Sequence, residues 1–352
     1  MNKEMQLNNL LKRGLLLKHK NFLLCITFVF FFFAFDFVIG EVLSYYDHFD
    51  TPNMNSLMWD DFYKSEPNSI DVIFLGSSHA RFAFDTETFD NNLNIKSFNL
   101  SSSEQTPLVG YYALKEVLKN QKPKLLVYEA YWRVFGIDDN TTTAYFVYDY
   151  IKGFDTRSQL LASIYDNRNF SSFLAEALSR TYKYRDSFFP TIKNVLTGRI
   201  IKPSSPSKHI KYADFTYHQN GYFQSDEVVN NEKLFENNPF EKAGLYFKWN
   251  ETQIEYFKKT IKLCNDNNIK VLVITAPLPK PSMDYIKDYK KYSSKIMNIA
   301  KKFGLEYIDY NSMNIKEGNF KNEFFFDSNH LNKNGSEFLD NLLIPVIKKY
   351  LN

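Results

Sequence analysis

Five short apolar runs decide what this 352-residue chain can fold into: residues 72–75, 95–99, 123–129, 270–276 and 305–309. Each is too short for a helix and too evenly apolar for a strand with one face in water. Runs of this kind belong to strands covered on both faces, which is the environment of a parallel sheet. Apolar residues at helical spacing fill the gaps at 84–93, 108–120, 252–265, 286–303 and 335–351. Strand and helix alternate, so the predicted class is α/β with a doubly wound, five-stranded parallel sheet. Such sheets hold ligands outside the carboxyl ends of their strands. Functional residues are therefore expected just after apolar runs.

Two segments lie outside this alternation. Residues 137–245 form an insertion between strands 3 and 4. Helices are expected at 159–178 and 191–196, and an extended loop at 201–224, where Pro203 and Pro206 stand. A long insertion at the site-bearing edge suits a substrate-binding lid. Its many Tyr and Phe residues could stack on sugar rings, although most such residues simply pack in a core. His209 and His218 lie here and read as exposed histidines without a role.

The second segment is the N-terminus. Residues 1–20 are polar and basic, with Lys3, Lys12, Arg13, Lys18 and Lys20 against Glu4. Residues 21–40 follow with a Phe- and Leu-rich run, and roughly 20 apolar residues cross a bilayer as a helix. Asp36 is the one carboxylate in that run, close enough to its end to reach the interface. The run is longer than the core of a cleaved signal, and no clean small-residue cleavage site follows. Basic residues before it predict a cytoplasmic N-terminus and an extracytoplasmic remainder. Residues 41–69 read as a juxtamembrane segment and 70–352 as the extracytoplasmic domain. The whole chain is only +3, and the tail supplies that excess. No basic domain is left for nucleic acid. Cys25 and Cys264 offer neither a disulfide pattern nor metal-ligand spacing.

The chemistry-bearing signal sits where the first strand ends. Gly76 breaks the run, and Ser77, Ser78 and His79 follow. A strand that stops at a glycine and throws a serine into the turn lifts a hydroxyl clear of the sheet. The helix that follows turns free N–H groups toward a developing oxyanion. Gly-Ser-Ser alone is common in plain turns. Near the C-terminus, however, Asp327 and His330 stand three residues apart, a spacing that lets a carboxylate orient an imidazole. His79 neighbours Ser78 on a tight turn, where adjacent side chains point apart, so it is not the expected base.

Gly76-Ser77-Ser78 early, Asp327-x-x-His330 late and an α/β pattern between them resemble the SGNH (GDSL-type) hydrolase superfamily, a flavodoxin-like arrangement. The Gly-Ser-Ser variant looks most like its membrane-anchored cell-envelope branch, which includes alginate O-acetyltransferases and teichoic-acid D-alanyl-transfer proteins. The resemblance implies Ser78 as nucleophile, His330 as base and Asp327 as its orienting acid, with Ser77 in place of the family's acidic residue. It implies an oxyanion hole from the backbone N–H of Ser78 and of the second block. Asn99 fits the strand end of that block, but Ser103 or Glu104 stands where the family has glycine. The third block, Gly-x-Asn-Asp, is missing; Glu129-Ala-Tyr-Trp-Arg133 follows the third strand instead. Glu129 and Arg133 are either a substrate-facing pair or a plain ion pair. Together with Asn99 they are the candidate substrate contacts.

The implied function is acyl transfer through an acyl-serine, without metal or cofactor. An O-acyltransferase or an esterase would act on O-acyl groups of a cell-surface polysaccharide or teichoic-type polymer. A multi-pass membrane acyltransferase is the partner that the first of these would need. The missing third block keeps an alternative open, a non-catalytic carbohydrate-binding or assembly module on the same fold.

Overall fold

The computed structural model describes residues 2–50, 54–137, 141–165, 175, 178–182, 188–197, 209–212, 214–230, 240 and 248–352. It divides into two units, one of residues 1–51 with 167–203, the other of 52–166 with 204–352. In chain order the elements are α1 (Asn2–Asp50), α2 (Met54–Lys64), β1 (Val72–Gly76), α3 (Ser78–Ala83), α4 (Thr86–Leu93), β2 (Ser97–Ser101), α5 (Pro107–Val117) and β3 (Leu125–Glu129). Then come α6 (Thr141–Tyr148), α7 (Phe154–Ile164), α8 (Phe188–Thr197), β4 (His209–Tyr212), β5 (Phe215–His218) and β6 (Phe223–Gln224). The C-terminal part holds α9 (Glu251–Asp266), β7 (Lys270–Thr275), α10 (Lys280–Tyr285), α11 (Tyr289–Lys302), β8 (Glu306–Asp309), α12 (Tyr310–Glu317) and α13 (Lys333–Leu351).

The first unit is built on α1. Its stretch Lys18–Leu43 is long and apolar enough to cross a membrane. Asp36 does not depend on reaching water. It is buried and accepts from Ser179 Oγ at 2.8 Å, from Thr181 Oγ1 and the Arg180 N–H at 2.5 Å each, and from the Thr181 N–H at 3.3 Å. Arg180 also pairs with Glu41 at 2.6 Å. A carboxylate inside an apolar span is tolerable when donors surround it in this way. Helix α8 packs on α1 in the same unit.

The second unit carries the predicted sheet. Its order is β2-β1-β3-β7-β8, every pair parallel. β1 lies in the middle of the early strands, in register with β2 from Val72↔Ser97 to Gly76↔Ser101. Phe74 stacks on Phe84 and meets Phe89 at a tilt, each at 4.7 Å, in a core shared with Leu339, Leu343 and Ile347 of α13. On β3, Tyr128 meets Phe257 of α9 at 4.8 Å. The five strands fall on the five apolar runs, and their order is the doubly wound one.

The segments off the pattern differ from expectation. Residues 41–69 contain α2, whose Met58, Trp59 and Phe62 are buried in the second unit, so this part is core and not tether. The helix expected at 159–178 begins earlier, at Phe154, and ends at Ile164; most of its remaining positions lie outside the described residues. α8 covers the helix expected at 191–196. The loop expected at 201–224 holds a three-stranded antiparallel sheet, β4-β5-β6, over 209–224. Residues 201–208 lie outside the described residues, so the prolines that prompted the loop expectation are not in this sheet. Gly221 makes the approach of the sheet to β2 possible. Its φ is +93°, and a Cβ there would sit 2.0 Å from the Asn99 carbonyl oxygen.

Candidate active site

β1 ends at Gly76, where a Cβ would lie 2.8 Å from both Ala80 Cβ and Glu129 Cβ. Only glycine lets the chain turn this tightly against β3. Ser77 then caps α3, its hydroxyl accepting from the His79 N–H at 3.4 Å. Ser78 is the first residue of that helix and stays half-buried. The turn buries Ser77 as the helix cap and leaves Ser78 half-buried at the helix start.

The Asp327–His330 loop faces it. A bridge between Phe325 and Leu331 closes the loop, and the Phe326 N–H donates to the His330 carbonyl at 3.1 Å. Asp327 Oδ1 accepts from the N–H groups of Asn329 and His330, 2.7 Å each, which fixes the carboxylate. Its other oxygen lies 2.9 Å from His330 Nδ1, and His330 Nε2 lies 2.8 Å from Ser78 Oγ. The imidazole is stacked on Phe326 at 5.4 Å and 11°, with the Phe82 ring at 5.3 Å. Burial acts to raise the Asp327 carboxyl. The His330 charge and the donors on Asp327 outweigh it and hold the group below its ordinary range, ionised and acceptor-only.

His79 takes no part as a partner of Asp327. It is buried, stacks on Tyr131 at 3.8 Å, and its Nε2 lies 2.5 Å from Asn329 Oδ1. Burial first, and then the His330 charge, push it down to about 3, so its ring is neutral. Tyr131 donates its hydroxyl to the same Asn329 oxygen at 3.1 Å. With that oxygen held twice, the amide nitrogen Nδ2 is left toward the Ser78–His330 pair, 3.2 Å from His330 Nε2. Sequence reasoning missed Asn329. The signal was present, because it stands inside the Asp-x-x-His stretch. Tyr131 stands just after β3, where the missing third block was expected. The strand end therefore orients an amide carried by another loop.

The other candidates separate. Asn99 is fully buried and donates to the carbonyls of Ala80 at 2.8 Å and Phe84 at 3.2 Å. It ties the end of α3 to β2 and is not a substrate contact. Glu129 is also buried, accepting from the Ala276 N–H at 3.3 Å, and desolvation raises its carboxyl to about 8. It does not pair with Arg133, which instead reaches Glu104 at 3.2 Å. The Glu129–Arg133 pair is thus replaced by Glu104–Arg133, both side chains partly exposed. The turn that holds Ser103 and Glu104 begins just past Ser101, the register partner of Gly76, at the same sheet edge as Ser78. Glu104 has φ +47°, the left-handed conformation that glycine favours and the family supplies with glycine.

Arg81 also went unnoticed in the sequence. It is buried in α3, donates to the Ser101 carbonyl through Nε at 3.0 Å and Nη2 at 2.9 Å, and reaches Ser103 Oγ at 3.5 Å. Burial lowers its guanidinium to about 9. It clamps the helix behind Ser78 to the second-block turn. Nothing in its spacing distinguishes it from a surface arginine.

A five-stranded parallel sheet in the order β2-β1-β3-β7-β8, a serine turn after its first strand and an Asp-x-x-His loop before its last helix define an SGNH hydrolase-like fold. The chain belongs to the family described as "Protein of unknown function (DUF1574)", which matches residues 17–343. No curated protein matches it. Among solved structures it is similar to a protein of Bacteroides fragilis assigned as an acylhydrolase, at 12% identity and a TM-score of 0.40 over 85% of this chain and 98% of that one. It is similar to a GDSL-like lipase of Bacteroides thetaiotaomicron, at 11% identity and a TM-score of 0.39, with the same coverage. A gut microbial diltiazem-metabolizing enzyme matches at 13% identity and a TM-score of 0.37, over 80% of this chain and 47% of that one.

Proposed function

We propose that this chain is a membrane-anchored serine esterase or O-acyltransferase acting on O-acyl groups of an extracytoplasmic glycopolymer. The observation that carries the reading is the unbroken chain from Asp327 through His330 to Ser78, at 2.9 and 2.8 Å. In the first half-reaction Ser78 Oγ attacks the ester carbonyl carbon while its proton passes to His330 Nε2. Asp327 holds Nδ1–H and stabilises the imidazolium. The tetrahedral oxyanion is met by the N–H of Ser78 and by Asn329 Nδ2, with the N–H groups of Ser103 and Glu104 as further donors at the second-block turn. Collapse breaks the ester C–O bond, and His330 returns the proton to the departing alcohol. Water or a sugar hydroxyl, deprotonated by His330, then attacks the acyl-serine; the bond from the acyl carbon to Ser78 Oγ breaks, and His330 returns the proton to Oγ.

Hydrolysis and transfer share every step but the acceptor. Partly exposed Arg133, which pairs with Glu104, and the aromatic rings beside His330 suit a sugar acceptor. The apolar helix fits a single-pass membrane anchor; with the basic tail on the cytoplasmic side, the domain would face the envelope, where a multi-pass membrane acyltransferase would deliver the acyl group. The test uses the full-length protein in detergent with a p-nitrophenyl ester. Acyl release lost in Ser78→Ala supports the reading. Adding O-deacylated glycopolymer and following acyl groups onto it separates transferase from esterase. Equal release by wild type and Ser78→Ala would defeat both.

A further inference from the structure

The small sheet has a second cluster of chemistry-bearing side chains, which the triad does not use. His209 of β4 and His218 of β5 are register partners across an antiparallel pair. Directly opposed residues of such a pair project from the same face. Their rings lie 4.3 Å apart. Glu87 of α4 completes the group, its Oε2 3.6 Å from His209 Nε2. One ligand atom from each of the three lies within 4.8 Å of the others.

We propose that Glu87, His209 and His218 form a site for a divalent transition ion of the zinc type, with water completing its shell. Imidazole nitrogen and carboxylate oxygen are the ligands that zinc takes at about 2.0–2.2 Å, which in a tetrahedral shell leaves ligand atoms about 3.3–3.6 Å apart. The Glu87–His209 separation already falls there. Among the described residues, both ring nitrogens of His218 are buried without a hydrogen-bond partner. A buried polar atom left unpaired is uncommon in a native fold and calls for a partner. A Glu87–His209 ion pair alone would leave both unexplained, whereas a metal bond satisfies one of them. A cavity of about 140 Å³ lies against Glu87 and His209, lined also by Thr86, Gln219 and Asn220, and has room for water ligands.

The ion would act as a clip. α4 and the β5–β6 turn are already joined where Thr86 Oγ1 donates to the Gln219 carbonyl at 3.0 Å. The same sheet carries Phe215, which packs on Phe82 at 5.1 Å and Phe326 at 5.5 Å. Those two rings flank His330. An ion binding α4 to β4 and β5 would therefore stiffen the wall behind the base without touching the reacting atoms.

The experiment uses full-length protein in detergent, stripped with EDTA and titrated with zinc chloride by calorimetry. Cobalt(II) serves as the spectroscopic probe. We expect one equivalent to bind at micromolar affinity or tighter, a rise in Tm with zinc, and a tetrahedral cobalt band. His209→Ala and His218→Ala should each weaken zinc at least tenfold and abolish the band. Glu87→Gln, on a partly exposed helix face, should do the same with no change in the circular dichroism of the apo protein; it keeps the test decisive if a histidine variant misfolds. His330→Ala should bind zinc as wild type does. Zinc binding that survives Glu87→Gln and both histidine changes, or that is lost with His330→Ala instead, would overturn the proposal, as would no binding at all.

Discussion

Removing the amide of Asn329 should slow the acyl-transfer step and leave the fold and substrate binding nearly unchanged. The side chain is held from behind, by Tyr131 at 3.1 Å and His79 at 2.5 Å, both on Oδ1. That leaves Nδ2 as a donor beside the Ser78–His330 pair. One preorganised donor to a tetrahedral oxyanion is worth about 2.7–4 kcal/mol, roughly 10²–10³ in kcat. Asn329→Ala should lose that factor in kcat with KM changed little, because the charge it meets exists only in the transition state. Asn329→Asp should be at least as slow: it keeps the acceptor for Tyr131 but sets a carboxylate against the oxyanion. Tyr131→Phe removes only one of the two bonds that aim the amide. At about 1 kcal/mol for such a bond, it should cost roughly fivefold. The assay is steady-state hydrolysis of a p-nitrophenyl ester, with near-ultraviolet dichroism to confirm the fold. If Asn329→Ala keeps kcat within threefold of wild type, the amide is not an oxyanion donor and the missing third block has no substitute in this loop.

Further outcomes follow from other parts of the second unit. Glu129 has its carboxyl raised by burial to about 8 from an ordinary 4.5, so the fold favours the protonated form. That contribution is complete below pH 4.5 and is lost as pH rises through about 8, so Glu129→Gln should flatten the decline and gain about 4 kcal/mol at pH 8 by urea unfolding. His79 runs the other way. Its depressed value favours the neutral ring, so stability falls as pH drops from 6.5 toward 3, and His79→Gln should shift the acid-unfolding midpoint downward. Gly221→Ala forces a Cβ to 2.0 Å from the Asn99 carbonyl at φ +93°; a loss of about 2–4 kcal/mol is expected by thermal melting. Protease added outside intact spheroplasts should digest the chain beyond Glu41, and protection there would reverse the proposed orientation.

What the sequence made legible follows from how locally each feature is encoded. The five strands were readable because a doubly covered strand needs an unbroken apolar run, and 72–75 or 270–276 can be little else. The Ser78 turn and the Asp327–His330 spacing were readable because both are fixed within four residues. Contacts between distant segments were not. Asn99 looked like a substrate contact because its family position suggested one, yet its amide is spent on the carbonyls behind α3. Glu129 and Arg133 were close enough in sequence to suggest a pair. The strand end buries one and turns the other toward Glu104. β4 to β6 escaped notice because four- and two-residue strands leave too few positions for a period of two to show. The pairing of His209 with His218 is a property of the hairpin register, which no spacing in the chain announces.

The most direct measurement of the central claim is the trapping of a covalent phosphonyl adduct on Ser78. Full-length protein in detergent is treated with a fluorophosphonate probe, digested, and the labelled peptide located by mass. A nucleophile activated by His330 at 2.8 Å should react in a time-dependent way and carry the label on Ser78 alone. Labelling should vanish in Ser78→Ala and fall by orders of magnitude in His330→Ala, while Ser77→Ala still labels. Absence of any adduct on folded wild-type protein, or a label on Ser77 or elsewhere that persists in Ser78→Ala, would contradict the serine acyl-transfer account.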